Sequence, residues 1–320
     1  EAWKVLHQWY MKEPAWKDRI LPLYQARYPV RHRKNLTPQT AWAVYGTGIR
    51  GSVTRLESYA RCPYAHFLEY GLKLGERETA ELKATDLGSL NHEILFRYSE
   101  KVTRQNSWYT ILPEESEALL LESIREAELA RKDTALYDSA RNEYRLTMVR
   151  RMLHTVVDTI HAQVKAGILE PAWYERTFHI TRRLQSAAEQ LPEKARLQLY
   201  GVIDRMDLAR PEGRPGEQLL RIIDYKSSKR EFDLQEFYYG LQQQLIVYLA
   251  AAEELLRREY PDQKIIPAGV FYSQMDDPVL EDTGQTAEEI QEEIREKLNI
   301  FRAAGVSGVI YVGMHNRDVS

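Results

Sequence analysis

Cysteine occurs once in the 320 residues, at Cys62, so no disulfide can close within the chain. A lone thiol fits a reducing compartment, and a cytoplasmic location is the expectation. No apolar stretch approaches the roughly 20 residues a membrane helix needs, and the start carries no secretory-signal pattern, so no membrane partner is expected. The pattern G-x-x-x-x-G-K-[ST] is absent, which leaves this sequence without a visible ATPase phosphate loop. Charge of one sign is also lacking. The 44 Lys and Arg against 47 Asp and Glu leave a net −3, which advertises no polyanion partner globally, although binding depends on the local field. The first residue is Glu1 rather than Met, so the sequence is expected to be a piece of something longer.

What the chain does have is concentrated between Tyr200 and Tyr248. Y-G-V-I-D-R-M-D-L-A-R and L-L-R-I-I-D-Y-K-S-S are β-type apolar runs joined by a Pro/Gly-rich connection, Pro211 to Gly216. G-L-Q-Q-Q-L-I-V-Y-L follows as an amphipathic helix. Strand side chains alternate faces, so Val202, Asp204 and Met206 are expected to project together, as are Ile222, Asp224 and Lys226. Carboxylates among such apolar neighbours need a cation or a mutual network. D-x-K spacing puts acid and amine on one strand face, about 7 Å apart along the backbone. Gln244 and Tyr248, four apart, share one helix face. Paired acids that can hold Mg²⁺ (or Mn²⁺), with a lysine beside them, suit phosphodiester hydrolysis: the lysine orients water or stabilises negative charge. D-Y-K alone is as readily a buried ion pair; the flanking G-V-I-D-R-M-D and Q-x-x-x-Y turn it into a site.

G-V-I-D-R-M-D, I-I-D-Y-K-S-S and Q-Q-L-I-V-Y-L together resemble the nuclease domain of the RecB family within the PD-(D/E)XK superfamily. Upstream, S-V-T-R-L-E-S-Y-A-R-C-P-Y-A-H-F-L-E-Y-G-L-K-L (Ser52 to Leu74) and D-L-G-S-L-N-H-E-I-L (Asp86 to Leu95) resemble the C-terminal part of the AddB family, the B subunits of AddAB helicase–nucleases in double-strand-break repair. The resemblance runs from about Ala41 to Lys297. It implies an α/β restriction-endonuclease-like core, a central mixed sheet flanked by helices with an inserted helical subdomain. It also implies Mg²⁺ held by His92, Asp204, Asp224 and the Tyr225 carbonyl, Lys226 acting on water or on transition-state charge, and Gln244 and Tyr248 positioning strand and phosphate. The implied substrate is DNA, single-stranded, and the implied partner is an AddA-type motor protein. In such nucleases the cysteine at Cys62 is the first ligand of an iron–sulfur cluster whose other three thiolates lie further along. These 320 residues hold no second cysteine, so they cannot supply a four-thiolate site by themselves. Two other readings are a self-standing exonuclease of the CRISPR-associated or phage type, and a DNA-binding scaffold with a silent site.

Residues 1–50 read as a helical linker segment punctuated by prolines, with Thr37 and Pro38 as N-cap and first residue of a helix. The basic run Arg27 to Lys34 reads as a solvated loop. The nuclease domain is expected over 51–303. T-R-L-E predicts a capping box with Thr54 as N-cap and Glu57 at the third position. Tyr59, Cys62, Ala65 and Leu68 are expected to face inward, Pro63 to break or restart the helix, and Tyr64, Phe67 and Tyr70 to be core. His92 is the one histidine with motif context. A helical insertion covers about 101–168, with Leu119, Ile124, Leu129, Leu136, Val149, Met152, Val156 and Ile160 as periodic apolar positions flanking or covering a DNA channel. Ala172 to Thr181 reads as the first core strand, in which Glu175 stands either near a metal or paired with Arg182 or Arg183. Ile265 to Tyr272 reads as the last core strand, Ala287 to Arg302 as a surface helix, and 304–320 as a tail of open role.

Overall fold

The computed structural model describes residues 2–27, 35–46, 48–75, 83–131, 139–184, 195–228, 230–275 and 306–310. The chain divides into two compact units, Glu1–Gly46 and Thr47–Ser320. The first holds α1 (Ala2–Lys12), α2 (Pro14–Arg27) and α3 (Pro38–Tyr45). Thr37 caps α3 as its sequence predicts, its hydroxyl accepting from Thr40 N at 3.2 Å, with Pro38 as the first helical residue. Apart from the Arg27 backbone, the basic run to Lys34 lies outside the described residues.

A mixed six-stranded sheet forms the middle of the second unit. Its strands are β1 (Gly48–Gly51), β2 (Glu170–Arg183), β3 (Arg196–Ala209), β4 (Glu217–Lys226), β5 (Lys264–Gln274) and β6 (Val306–Ile310). The long strand β3 pairs antiparallel with β2 along one edge. Its other edge takes β1 in parallel at the start and β4 antiparallel at the end. β4 pairs parallel with β5, which pairs antiparallel with β6. Ile265 to Tyr272 therefore is not the last strand. β6 extends the sheet from within the stretch read as a tail, where a short V-S-G-V-I run carries little alternation to signal a strand.

Helices cover both faces. On one, α6 (Ala84–Arg104), α7 (Pro113–Ala130) and α8 (Ala140–Lys165) share a single buried core with Ile223, Tyr225 and Met275 of the sheet side. The helical insertion is thus a layer of the fold, built on Leu90, Ile94, Tyr98, Ile124, Leu153 and Ile160. Leu129, expected inward, is exposed in the last turn of α7, and Leu136 lies outside the described residues. On the other face, α4 (Val53–Arg61) and α10 (Gln244–Glu259) meet Phe178, Ile203, Met206, Ile222 and Tyr272. Burying Leu245, Leu249 and Leu256 of α10 contributes about 1.5–3 kcal/mol each.

The expected alternation fails at one place. Ile203 and Met206 are three apart, yet both pack into the α10-side core, while Val202 is exposed. Met206 therefore does not share a face with Val202. The irregularity falls where Glu175, opposite this part of β3, takes a left-handed φ of 43° and where β2 slips register between Pro171 and Trp173. A bulge re-aims side chains in this way. β4 keeps its alternation: Ile222 lies in the α10-side core and Ile223 in the opposite one.

The helix signal after β1 also resolves differently. Ser52, not Thr54, precedes α4, and no side chain caps it. Most of the expected inward stripe is turned outward: Tyr59, Cys62 and Ala65 are exposed, and so is Tyr64, Leu68 is half-buried, and Val53, Glu57 and His66 are buried. A break shifts the phase. α4 ends at Arg61, and α5 (Pro63–His66) restarts after Cys62, whose Sγ accepts from Ala65 N.

Candidate active site

Three elements converge above the junction of β3 and β4. His92 comes from the first half of α6, Asp204 from β3 and Glu175 from β2. His92 Nδ1 lies 3.4 Å from Asp204 Oδ1 and 3.5 Å from Glu175 Oε1. One ligand atom from each of the three lies within 4.8 Å of the others, a grouping able to hold a metal ion. Burial disfavours the charged imidazole, but the carboxylates of Asp204 and Glu175 overcome it and hold His92 up at about 10. The open question about Glu175 is decided toward the histidine. Its left-handed backbone costs on the order of 1–3 kcal/mol, a strain of the kind found at functional sites.

The second group is organised by β4 and α10. Asp224 is 2% exposed; its Oδ1 accepts from Gln244 Nε2 at 2.8 Å and its Oδ2 lies 2.6 Å from Lys226 Nζ. Lys226 also donates to Gln244 Oε1 at 2.9 Å, and Gln244 Nε2 donates to the Tyr248 hydroxyl at 2.9 Å. Gln244 therefore reads acid, lysine and phenol at once. Burial, then the nearby Asp204 carboxylate, push Asp224 up to about 7, with Lys226 and His92 pulling it back. The two groups are joined by the backbone of β4: Tyr225 N donates to Asp204 Oδ2 at 2.7 Å. Asp224 is not one of the three residues within 4.8 Å; its carboxylate is held on the lysine side.

Behind these strands the odd-numbered neighbours form their own network. Asp207 accepts from Arg205 Nε and Nη2 at 2.5 and 2.8 Å, and from Arg221 Nε at 2.8 Å. Arg205 also reaches the Tyr225 hydroxyl at 3.4 Å. Asp207 is fully buried there, away from the metal-ligand group, as its position three beyond Asp204 on an irregular strand allows.

A profile of the PD-(D/E)XK nuclease superfamily matches residues 50–309. The chain belongs to the PD-(D/E)XK nuclease superfamily. It is similar to proteins named as the B subunit of an ATP-dependent helicase/deoxyribonuclease. The Lachnoclostridium phytofermentans protein is 39% identical over 279 residues, covering 87% of this chain and 23% of the relative. Those of Clostridium perfringens strain SM101 and Alkaliphilus metalliredigens are 34% and 31% identical, each covering 94% of this chain and 26% of the relative. The chain thus spans about a quarter of the length of the curated relatives it matches.

Within this nuclease fold, sequence reasoning missed Glu57. It is buried and accepts from Gln243 N at 2.7 Å and Gln244 N at 3.2 Å, so it caps α10 instead of its own helix. A carboxylate is favoured at a helix N-terminus wherever it comes from in sequence. The local spacing T-R-L-E looked like a capping box, and nothing in it points 186 residues ahead. Gly201 is the other unassigned member. A Cβ there would stand 2.9 Å from two atoms of the Phe178 ring, which in turn meets Tyr248 edge-on at 5.5 Å. Cys62 is exposed at the α4–α5 junction. No described helix is long and apolar enough to cross a membrane.

Proposed function

We propose that this chain is the nuclease domain of the B component of a helicase–nuclease, a Mg²⁺-dependent deoxyribonuclease acting on single-stranded DNA in the cytoplasm beside an AddA-type motor. The observation that carries this is the convergence of His92, Glu175 and Asp204 next to an Asp224–Lys226 pair on the adjoining strand. The donor set is one imidazole and hard carboxylate oxygens, which suits Mg²⁺ or Mn²⁺, and the buried Asp224 Oδ2 has the Lys226 ammonium beside it. His92, Asp204, Asp224 and the Tyr225 carbonyl, joined by Glu175, would hold the ion. A bound divalent ion supplies an activated water and neutralises charge on the phosphate.

The chain's own residues do the rest. Lys226 Nζ, steered by Gln244 Oε1 and Asp224, has a further N–H to place on the attacking water or on a phosphate oxygen. Gln244 fixes the Lys226 ammonium relative to Asp224, and Tyr248 fixes Gln244. Tyr225 N holds one Asp204 oxygen, which leaves the other facing His92. An iron–sulfur cluster using Cys62 belongs to this reading only with cysteines from outside these 320 residues.

The test is cleavage of end-labelled single- and double-stranded DNA with and without Mg²⁺ and ATP. Cleavage is expected to need Mg²⁺ and to favour the single strand. Lys226→Ala or Asp224→Ala is expected to lower the rate at least ~100-fold with the fold intact, because both act on transition-state charge. A Lys226→Ala protein that cuts at the parental rate defeats the assignment.

A further inference from the structure

Beside the Asp224–Lys226 pair stands a second cation that this chemistry has not used. The guanidinium carbon of Arg230 lies 5.7 Å from the centroid of the Tyr272 ring, and Lys226 Nζ lies 5.4 Å from the same centroid. Tyr272 is fully buried on β5 and is the register partner of Asp224. One aromatic ring therefore seats two cations, whose mutual repulsion its negative face offsets only in part. Among the described residues, the Nε of Arg230 is buried without a hydrogen-bond partner and Arg230 makes no ion pair. Two described carboxylates of the site are already engaged. Asp224 is held by Gln244 and Lys226, and Glu57 by the start of α10. The Arg230 carbonyl accepts from Gln274 Nε2 at 3.5 Å, which ties its backbone to the end of β5.

A guanidinium with an unmet buried donor, placed next to the lysine of the site and given no anion among the described residues, is suited to receive one from a bound strand. Two cations on one ring match two successive phosphates of one strand, and the planar fork of arginine suits non-bridging phosphate oxygens. We propose that Arg230 binds the DNA phosphate next to the one that is cut, setting where the strand lies relative to Lys226. This rests on the nuclease reading above and adds a substrate-positioning contact to it.

The experiment titrates the intact protein with a fluorescent single-stranded oligonucleotide in Ca²⁺, between about 50 and 200 mM salt. Arg230→Gln is expected to raise Kd about tenfold and to flatten the log–log salt slope by about 0.7, the share of one phosphate contact on a single strand. Arg230→Lys restores the slope but only part of the affinity, since it keeps the charge and loses the fork. A neutral methylphosphonate beside the scissile position costs the parental protein about the same tenfold and the Arg230→Gln variant nothing. Parental Kd and slope in a folded Arg230→Gln protein overturn the proposal. Should that variant not fold, a parental protein indifferent to methylphosphonates on both sides of the cut overturns it equally. Parental cleavage with an unaffected Arg230→Gln variant defeats this assignment alone, whereas a parental protein that neither binds nor cuts DNA defeats the nuclease reading itself.

Discussion

Replacing Glu57 by alanine tests how the site is held without touching any group that meets the substrate. Glu57 is 8% exposed and accepts two backbone donors at the first turn of α10, Gln243 N and Gln244 N. Losing a side-chain N-cap costs about 0.5–2 kcal/mol, and an acceptor that is charged and buried stands at the upper end, so about 2 kcal/mol is expected. The loss falls on the turn that carries Gln244, whose amide sets Lys226, Asp224 and Tyr248 against one another. Loosening it should lower cleavage about tenfold, because small misplacements of a catalytic group are costly. Glu57→Gln keeps an acceptor oxygen and should lose no more than about 1 kcal/mol. Glu253→Ala, which removes an exposed pair with Arg257, is the control and should change stability by less than about 0.5 kcal/mol. Urea unfolding followed by circular dichroism reads the first effect, and cleavage of labelled single strands reads the second. A Glu57→Ala protein with the parental urea midpoint and the parental rate would refute the capping argument.

Gly201→Ala pushes a methyl to within 2.9 Å of the Phe178 ring, and overpacking of this kind costs about 1–3 kcal/mol; a thermal melt and a reduced cleavage rate, from a displaced Tyr248, check it. The pH dependence follows from Asp224, raised from 3.8 to about 7 by burial and by Asp204. The folded state then binds more protons than the unfolded between those values, so in EDTA this group removes stability as pH rises through that window. A divalent ion that pairs with the ionised carboxylate reverses the trend. The rise in melting temperature on adding Mg²⁺ should therefore be larger at about pH 8 than at about pH 5.5. Because His92 must also give up its proton to become a ligand, binding should release protons, measurable by calorimetry in two buffers. An ion-induced rise that is equal at both pH values would count against Asp224 and His92 as ligands.

Much of the fold and part of the site were legible in the linear chain. The D-x-K pair, the Q-x-x-x-Y pair and the helix bearing His92 depend only on strand and helix periods, and β4, α10 and α6 carry them as those periods require. Expectations failed where a long-range partner overrode a local pattern. Glu57 reads as part of its own helix's capping box but answers to α10. Tyr59 and Cys62 share a helical stripe on paper, but α4 packs inward on Val53 and Glu57 and leaves both exposed.

Residue types and their spacing were enough to say which groups could do the chemistry and which of them share an element, since neighbours on one strand or helix are related by constant geometry. Which elements meet was a matter for long-range packing. The left-handed turn of backbone at Glu175 brings its carboxylate to His92. The break in alternation along β3 separates Met206 from Val202. Tyr272 reaches across from β5 to seat Lys226 and Arg230 together. None of these follows from periodicity, because each depends on a strand crossing, a register shift or a backbone conformation that residues far apart in the chain hold in place.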